Sequence, residues 1–267
     1  MKLKKLRQQL EAHKIDALLI TNPYNRRYMT GFTGSAGVAI VSNQDAVFIT
    51  DFRYTSQAND QVKGYRIVEQ ERTAIEEVAK QVQAMNIELL GFEKDDMNYG
   101  LYELYNEHVD AGLVPVAGLV EELRIVKNEE ELEILQKAAN IADETFEYIC
   151  TYIRPGMTEL EVANEMEFYM RKLGATQSSF DTIVASGARG ALPHGVASDK
   201  VIEEGDMITL DFGALYKGYI SDITRTIAVG EPSEQMKEIY DIVLQSQLLG
   251  VEKIGPGMTG KEADAIV

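Results

Sequence analysis

Short apolar runs alternate with amphipathic stretches from the start of the chain to about Val120. Asp16 to Thr21, Ala36 to Ser42 and Ala46 to Asp51 are compact, rich in β-branched residues and bounded by turn formers, which predicts strands. Tyr65 to Gln70, Glu88 to Glu93 and Leu113 to Ala117 read the same way. Helical periodicity fills several of the gaps, as over Arg72 to Met85, and Leu3, Leu6 and Leu10 mark a surface helix at the start. Strands alternating with helices predict an α/β domain. Near Val120 to Lys127 the pattern changes to one long amphipathic period, about Glu129 to Ile153. Asn128 stands before it as an N-cap, with Glu131 three residues on. The reading is an N-terminal α/β domain over 1–122 and a second domain over 123–267.

One internal repeat is visible. Ile153-Arg-Pro-Gly-Met-Thr158 recurs as Ile254-Gly-Pro-Gly-Met-Thr259. Each copy follows a long helix that Pro and Gly stop, and each Thr has a Glu three residues later, so each opens a new helix with a capping box. A duplicated half-domain is expected. The first copy is followed by helix, strands and a hairpin, the second only by Lys261 to Val267. The expectation is therefore a fragment, with most of the second half absent.

Composition narrows the class. A chain of 267 residues, 45% of them hydrophobic, builds a core without staples. The single cysteine, Cys150, cannot form an internal disulfide, which fits a reducing compartment, and its apolar neighbours predict that it is buried. The basic start is not followed by an apolar run of signal-peptide length, and no stretch reaches the ~20 apolar residues of a membrane span. A net charge of −17 repels phosphate and argues against nucleic acid as a partner.

The richest chemistry lies in Gly205 to Gly230. Met207 to Phe212 and Tyr219 to Val229 read as strands joined at Tyr216-Lys217-Gly218. If the hairpin is symmetric about the Tyr216–Lys217 bond, Asp211 faces Asp222. Two facing aspartates repel, and a bridging divalent cation turns that repulsion into coordination. A bulge at Gly218 would instead shift the register, and on spacing alone the two readings are equally supported. Of the three histidines, His13 and His108 fall on surface helices. His194 stands in the Gly/Pro-rich segment Ala185 to Gly195, where a polar side chain can meet a substrate; a lone loop histidine is more often unremarkable.

Taken together, these segments resemble a known family. LDFGALYKGYISDITRT is similar to the first-hairpin signature of the proline-directed metallopeptidases of the pita-bread fold, aminopeptidase P and prolidase among them. ASGARGALPHG resembles the loop before that hairpin, and LRIVKNEEELEILQKAANIAD the helix that opens the catalytic domain. RRYMTGFTGSAG and ITDFRY resemble segments of the family's N-terminal domain. The resemblance implies an α/β creatinase-like N-terminal domain followed by an α+β pita-bread catalytic domain. It also implies hydrolysis of Xaa-Pro bonds in short peptides, as an aminopeptidase or dipeptidase, by a cytoplasmic homodimer with two divalent metal ions. Manganese is the first choice, with cobalt or zinc as substitutes. Of five ligands in the family pattern, Asp211 and Asp222 match the two aspartates, and one histidine and two glutamates are not supplied. His194 matches the histidine that contacts substrate outside the metal shell. The 267-residue chain itself is expected to be inactive. Two rivals are a creatinase-like hydrolase without metals and a non-catalytic member of the same fold.

Overall fold

A computed structural model describes residues 2–267; Met1, the first residue of the expected surface helix, lies outside it. The chain divides into two compact units between Lys127 and Asn128.

In the first unit all six expected strands form one sheet: β1 (Ala17–Ile20), β2 (Val38–Ser42), β3 (Ala46–Thr50), β4 (Arg66–Glu69), β5 (Leu89–Glu93) and β6 (Gly112–Val116). Their order is β4-β3-β2-β1-β5-β6. The β1–β5, β5–β6 and β3–β4 pairs are parallel, and β2 is antiparallel to both β1 and β3. Alternation along β1 assigns the two faces. Leu18 and Ile20 join Leu6 and Leu10 of α1 (Lys2–His13) and Leu119 and Val120 of α6 (Leu119–Ile125). Ala17 and Leu19 join Val78 and Val82 of α4 (Ala74–Ala84) and Tyr105 of α5 (Tyr99–His108). Covering both faces explains why β1 and β3 are buried at every position. Helices α2 (Pro23–Thr30) and α3 (Thr55–Gln61) complete the unit.

The second unit opens with α7 (Glu129–Tyr152), capped by Asn128 and Glu131 in a reciprocal capping box as expected. Helix α8 (Glu159–Lys172) packs with it against a three-stranded sheet of order β12-β9-β8. Those strands are β8 (Ile183–Ser186), β9 (Met207–Phe212) and β12 (Ile223–Ala228). A smaller sheet, β11-β10-β7, is made of β7 (Gln177–Ser178), β10 (Ala214–Tyr216) and β11 (Tyr219–Ile220). Ile141, Ile149, Val162 and Met166 of the helices meet Val184, Leu210 and Phe212 of the strands in one core. Cys150 is exposed, contrary to expectation, because Ile149 and Thr145 take the inward face of α7 and the next residue turns about 100° away from it.

Both copies of the repeat have the same local structure. Thr158 and Thr259 each cap a helix with a full capping box to Glu161 and Glu262. Gly156 and Gly257 adopt left-handed φ values of 94° and 92°. Helix α9 (Glu234–Lys253) and the short α10 (Gly260–Asp264) bury no residue, and Ile242, Val243 and Val251 of α9 stand exposed.

Candidate active site

The hairpin turns one residue later than the sequence suggests. Tyr216 pairs with Tyr219, so the loop is Lys217-Gly218 alone, and both have positive φ, 48° and 85°. A two-residue loop with positive φ at both positions is the twist-matched hairpin connection. The axis therefore falls between Lys217 and Gly218, and Asp211 faces Thr224 rather than Asp222. The expected direct Asp211–Asp222 pair is overturned for that reason.

The register still relates the two aspartates. Along β9, Ile208, Leu210 and Phe212 are buried in the core, while Thr209 and Asp211 are half-buried on the other face. Thr224 shares that face and its hydroxyl donates to Asp211 Oδ1 at 2.9 Å. Asp222 precedes by two residues the Thr224 that pairs with Asp211. It stands in the break between β11 and β12 and is exposed. That break is built: Gly213 passes so near Ser221 that an added Cβ would lie 1.8 Å from the Ser221 carbonyl oxygen. Ser179 Oγ donates to that same oxygen at 3.0 Å, and the Ser221 hydroxyl accepts from the Ala214 amide at 2.9 Å.

His194 is carried on the same face. It lies in the exposed turn after a 3₁₀ segment, Gly187–Ala191. The returning chain bridges Val196 to Ile183, Ile183 pairs with Asp211, and Asp211 pairs with Thr224, so four residues form one row across the sheet. A Cβ on Gly190 would lie 3.6 Å from Thr209 Oγ1, and one on Gly195 would lie 3.1 Å from the Ala185 Cβ. Thr209 shares the face of Asp211, so the loop packs over that face. His13 and His108 are exposed at helix ends, each bonded to a carbonyl of its own helix.

Sequence reasoning passed over Glu159. As the first residue of α8 it looks like a dipole-compensating acid. It is buried, and its partners lie 27 to 39 positions away in the chain. The Ser186 amide and hydroxyl donate to Oε1 at 2.7 and 2.9 Å. Arg189 Nε donates to Oε2 at 2.9 Å, and the Ser198 amide and hydroxyl at 3.1 and 2.7 Å. Burial by itself would raise this carboxyl, but the Ser186 amide, the Ser198 and Ser186 hydroxyls and Arg189 outweigh it and hold it below the ordinary range. Glu93 in the first unit is the opposite case: burial lifts it, against bonds from the Asn22 and Thr21 amides and the Asn25 side chain.

Carboxylate oxygens are hard donors that suit divalent cations. Among the described residues no group of three or more His, Cys, Asp or Glu side chains gathers to hold a metal ion. No helix is long and apolar enough to cross a membrane.

The profile of metallopeptidase family M24 matches residues 133–267, and that of the Creatinase/Prolidase N-terminal domain matches residues 2–126. The chain is 59% identical over 267 residues to an uncharacterized peptidase of Bacillus subtilis, covering 100% of this chain and 76% of that one. It is 40% identical over 268 residues to a Xaa-Pro dipeptidase of Pyrococcus furiosus, covering 99% and 75%. A solved Xaa-Pro dipeptidase from Bacillus anthracis superposes with a TM-score of 0.95 at 58% identity, over 99% of this chain and 75% of that one. The prolidase from Pyrococcus horikoshii gives 0.90 at 38% identity, with 99% and 75% covered. The chain belongs to metallopeptidase family M24, behind a creatinase/prolidase-type N-terminal domain. It has the α/β-plus-pita-bread architecture over about three-quarters of the length of these relatives. The family implies divalent metal ions as cofactor.

Proposed function

We propose that this protein hydrolyses the bond before proline in short peptides, as a metal-dependent exopeptidase of the Xaa-Pro dipeptidase or aminopeptidase kind. The observation that carries the reading is the His194 loop packed over the Asp211 face of the hairpin, with Asp222 two residues before Thr224, within a chain 40% identical to a Xaa-Pro dipeptidase along almost its whole length. Asp211 and Asp222 are the residues that would hold metal, two ions by the family resemblance. Manganese is the preferred ion by the same resemblance, with cobalt or zinc in its place. A bound divalent ion supplies Lewis acidity at the scissile carbonyl and a water acidic enough to ionise near neutral pH.

The chain's own residues do the rest. The Thr224 hydroxyl donates to Asp211 Oδ1 and orients that carboxylate, which would hold the cation. His194 donates a hydrogen bond to the oxygen that gains charge as the carbonyl is attacked. The N-terminal and catalytic domains are read as those of a cytoplasmic homodimer; the lone exposed cysteine suits a reducing compartment.

The test uses the purified protein. Chelation abolishes hydrolysis of Xaa-Pro dipeptides, and manganese restores it. Comparison of dipeptides with longer Xaa-Pro peptides separates dipeptidase from aminopeptidase. Undiminished hydrolysis after exhaustive chelation, or no preference for proline, overturns the reading.

A further inference from the structure

The loop that carries His194 is held by very little apolar burial. From Gly187 to His194 no residue is buried, and Leu192 is 51% exposed. Gly187, Gly190 and Gly195 add backbone freedom that must be lost on ordering. Polar contacts must therefore hold it, and they converge on one group. The Glu159 carboxylate takes five hydrogen bonds: two from Ser186 where the loop leaves β8, one from Arg189 within it, and two from Ser198 where the chain returns.

Arg189 closes the ring. While its Nε donates to Glu159 Oε2 at 2.9 Å, its Nη2 donates to the Val196 carbonyl oxygen at 2.7 Å. His194 lies inside the segment this arginine spans. The first amides of α8 add to the clasp: Glu159 N donates to the Lys200 carbonyl at 3.0 Å and Leu160 N to that of Ser198 at 2.9 Å. Free N–H groups at a helix start need such partners, and here the returning limb of the loop supplies them. Loop and helix are thus locked through one anion that itself lies away from the Asp211 face.

We propose that Glu159, acting through Arg189, is a positioning residue that holds the His194 loop in register on the Asp211 face of the hairpin. The inference rests on the proposed role of His194 for its catalytic consequence, but not for its structural one. Glu159 does not touch substrate. It removes the freedom of a glycine-rich loop before substrate arrives, so that the imidazole meets the reacting oxygen without further ordering.

Two measurements test it. Hydrogen exchange on the 267-residue chain compares wild type with Glu159→Gln. Amides of residues 187–196 exchange at least about tenfold faster in the variant, while Val184 and Leu210 in the core strands are unchanged. Turnover on Xaa-Pro peptides is then measured on the same protein. Glu159→Gln lowers it about 100-fold with bound manganese retained, and the Glu159→Gln/His194→Ala double variant is no slower than His194→Ala alone, because both act through one imidazole. Unchanged loop exchange, or losses that multiply in the double variant, overturns the proposal. If Glu159→Gln does not fold, Arg189→Met carries both measurements: Arg189 is 30% exposed, and its removal leaves the serine bonds to Glu159 in place. If the enzyme does not cleave Xaa-Pro peptides, the functional reading fails while the exchange experiment still decides the clasp.

Discussion

Asp211 faces Thr224 across the β9–β12 ladder and accepts a 2.9 Å hydrogen bond from its hydroxyl. A threonine opposite the aspartate, where a second aspartate was expected, changes the local electrostatics. No like charge is held directly across the strand, and one carboxylate oxygen is already oriented. Thr224→Val is expected to weaken manganese binding by about 10- to 100-fold, the usual cost of removing an outer partner of a ligand. Asp211→Asn and Asp222→Asn each cost more than that. Titration calorimetry on the three variants checks the order, and a Thr224→Val variant that binds as wild type would count against the site.

His194→Ala lowers turnover by about 100- to 1,000-fold, the range for losing one donor to a developing oxyanion. Metal content stays near that of wild type, because the loop brings the imidazole to the face without making it a ligand. Parallel assays of turnover and bound manganese check this. A change below about threefold would return His194 to an ordinary exposed loop residue, and lost metal would mean it belongs to the coordination shell.

Gly213 is a structural requirement of the hairpin. An alanine Cβ there would overlap the Ser221 carbonyl oxygen at 1.8 Å, with Ser179 Oγ at 2.5 Å on the same side. Gly213→Ala is expected to cost about 3 kcal/mol or more, at the upper end for single substitutions. Gly255→Ala meets nothing within 4 Å and stays within about 0.5 kcal/mol. Urea unfolding of the two variants makes the comparison.

Glu159 ties stability to pH. Its folded carboxyl lies below the ordinary range, because the Ser186, Ser198 and Arg189 bonds outweigh burial. A depressed folded pKa stabilises the native state fully above the unfolded value of about 4.3, and that contribution is lost as pH falls on through the lower folded value. The stability gap between wild type and Glu159→Gln is therefore widest near neutrality and narrows below about pH 4. Unfolding midpoints across that interval give the curve, and a gap independent of pH would remove the charged clasp from the account.

Much of this protein is decided locally and is therefore visible along the chain. Six short apolar runs became six strands, and β1 and β3, buried at every position, needed only a continuous apolar stretch. Asn128, Thr158 and Thr259 open their helices through bonds that reach three residues, so each capping box can be read from its own neighbours. The family motifs are similarly contiguous, and the family comparison bears them out.

What the tertiary structure decided lies in relations that no short window contains. The hairpin register turned on whether Lys217 would accept a positive φ, and one residue of shift put Thr224 instead of Asp222 opposite Asp211. Cys150 lies in an apolar stretch yet is exposed, because which side of α7 turns inward depends on what packs against it. Glu159 looks like any acid at a helix start. Its five bonds join it to residues far along the chain, and only folding makes one buried carboxylate the anchor of the loop that bears His194.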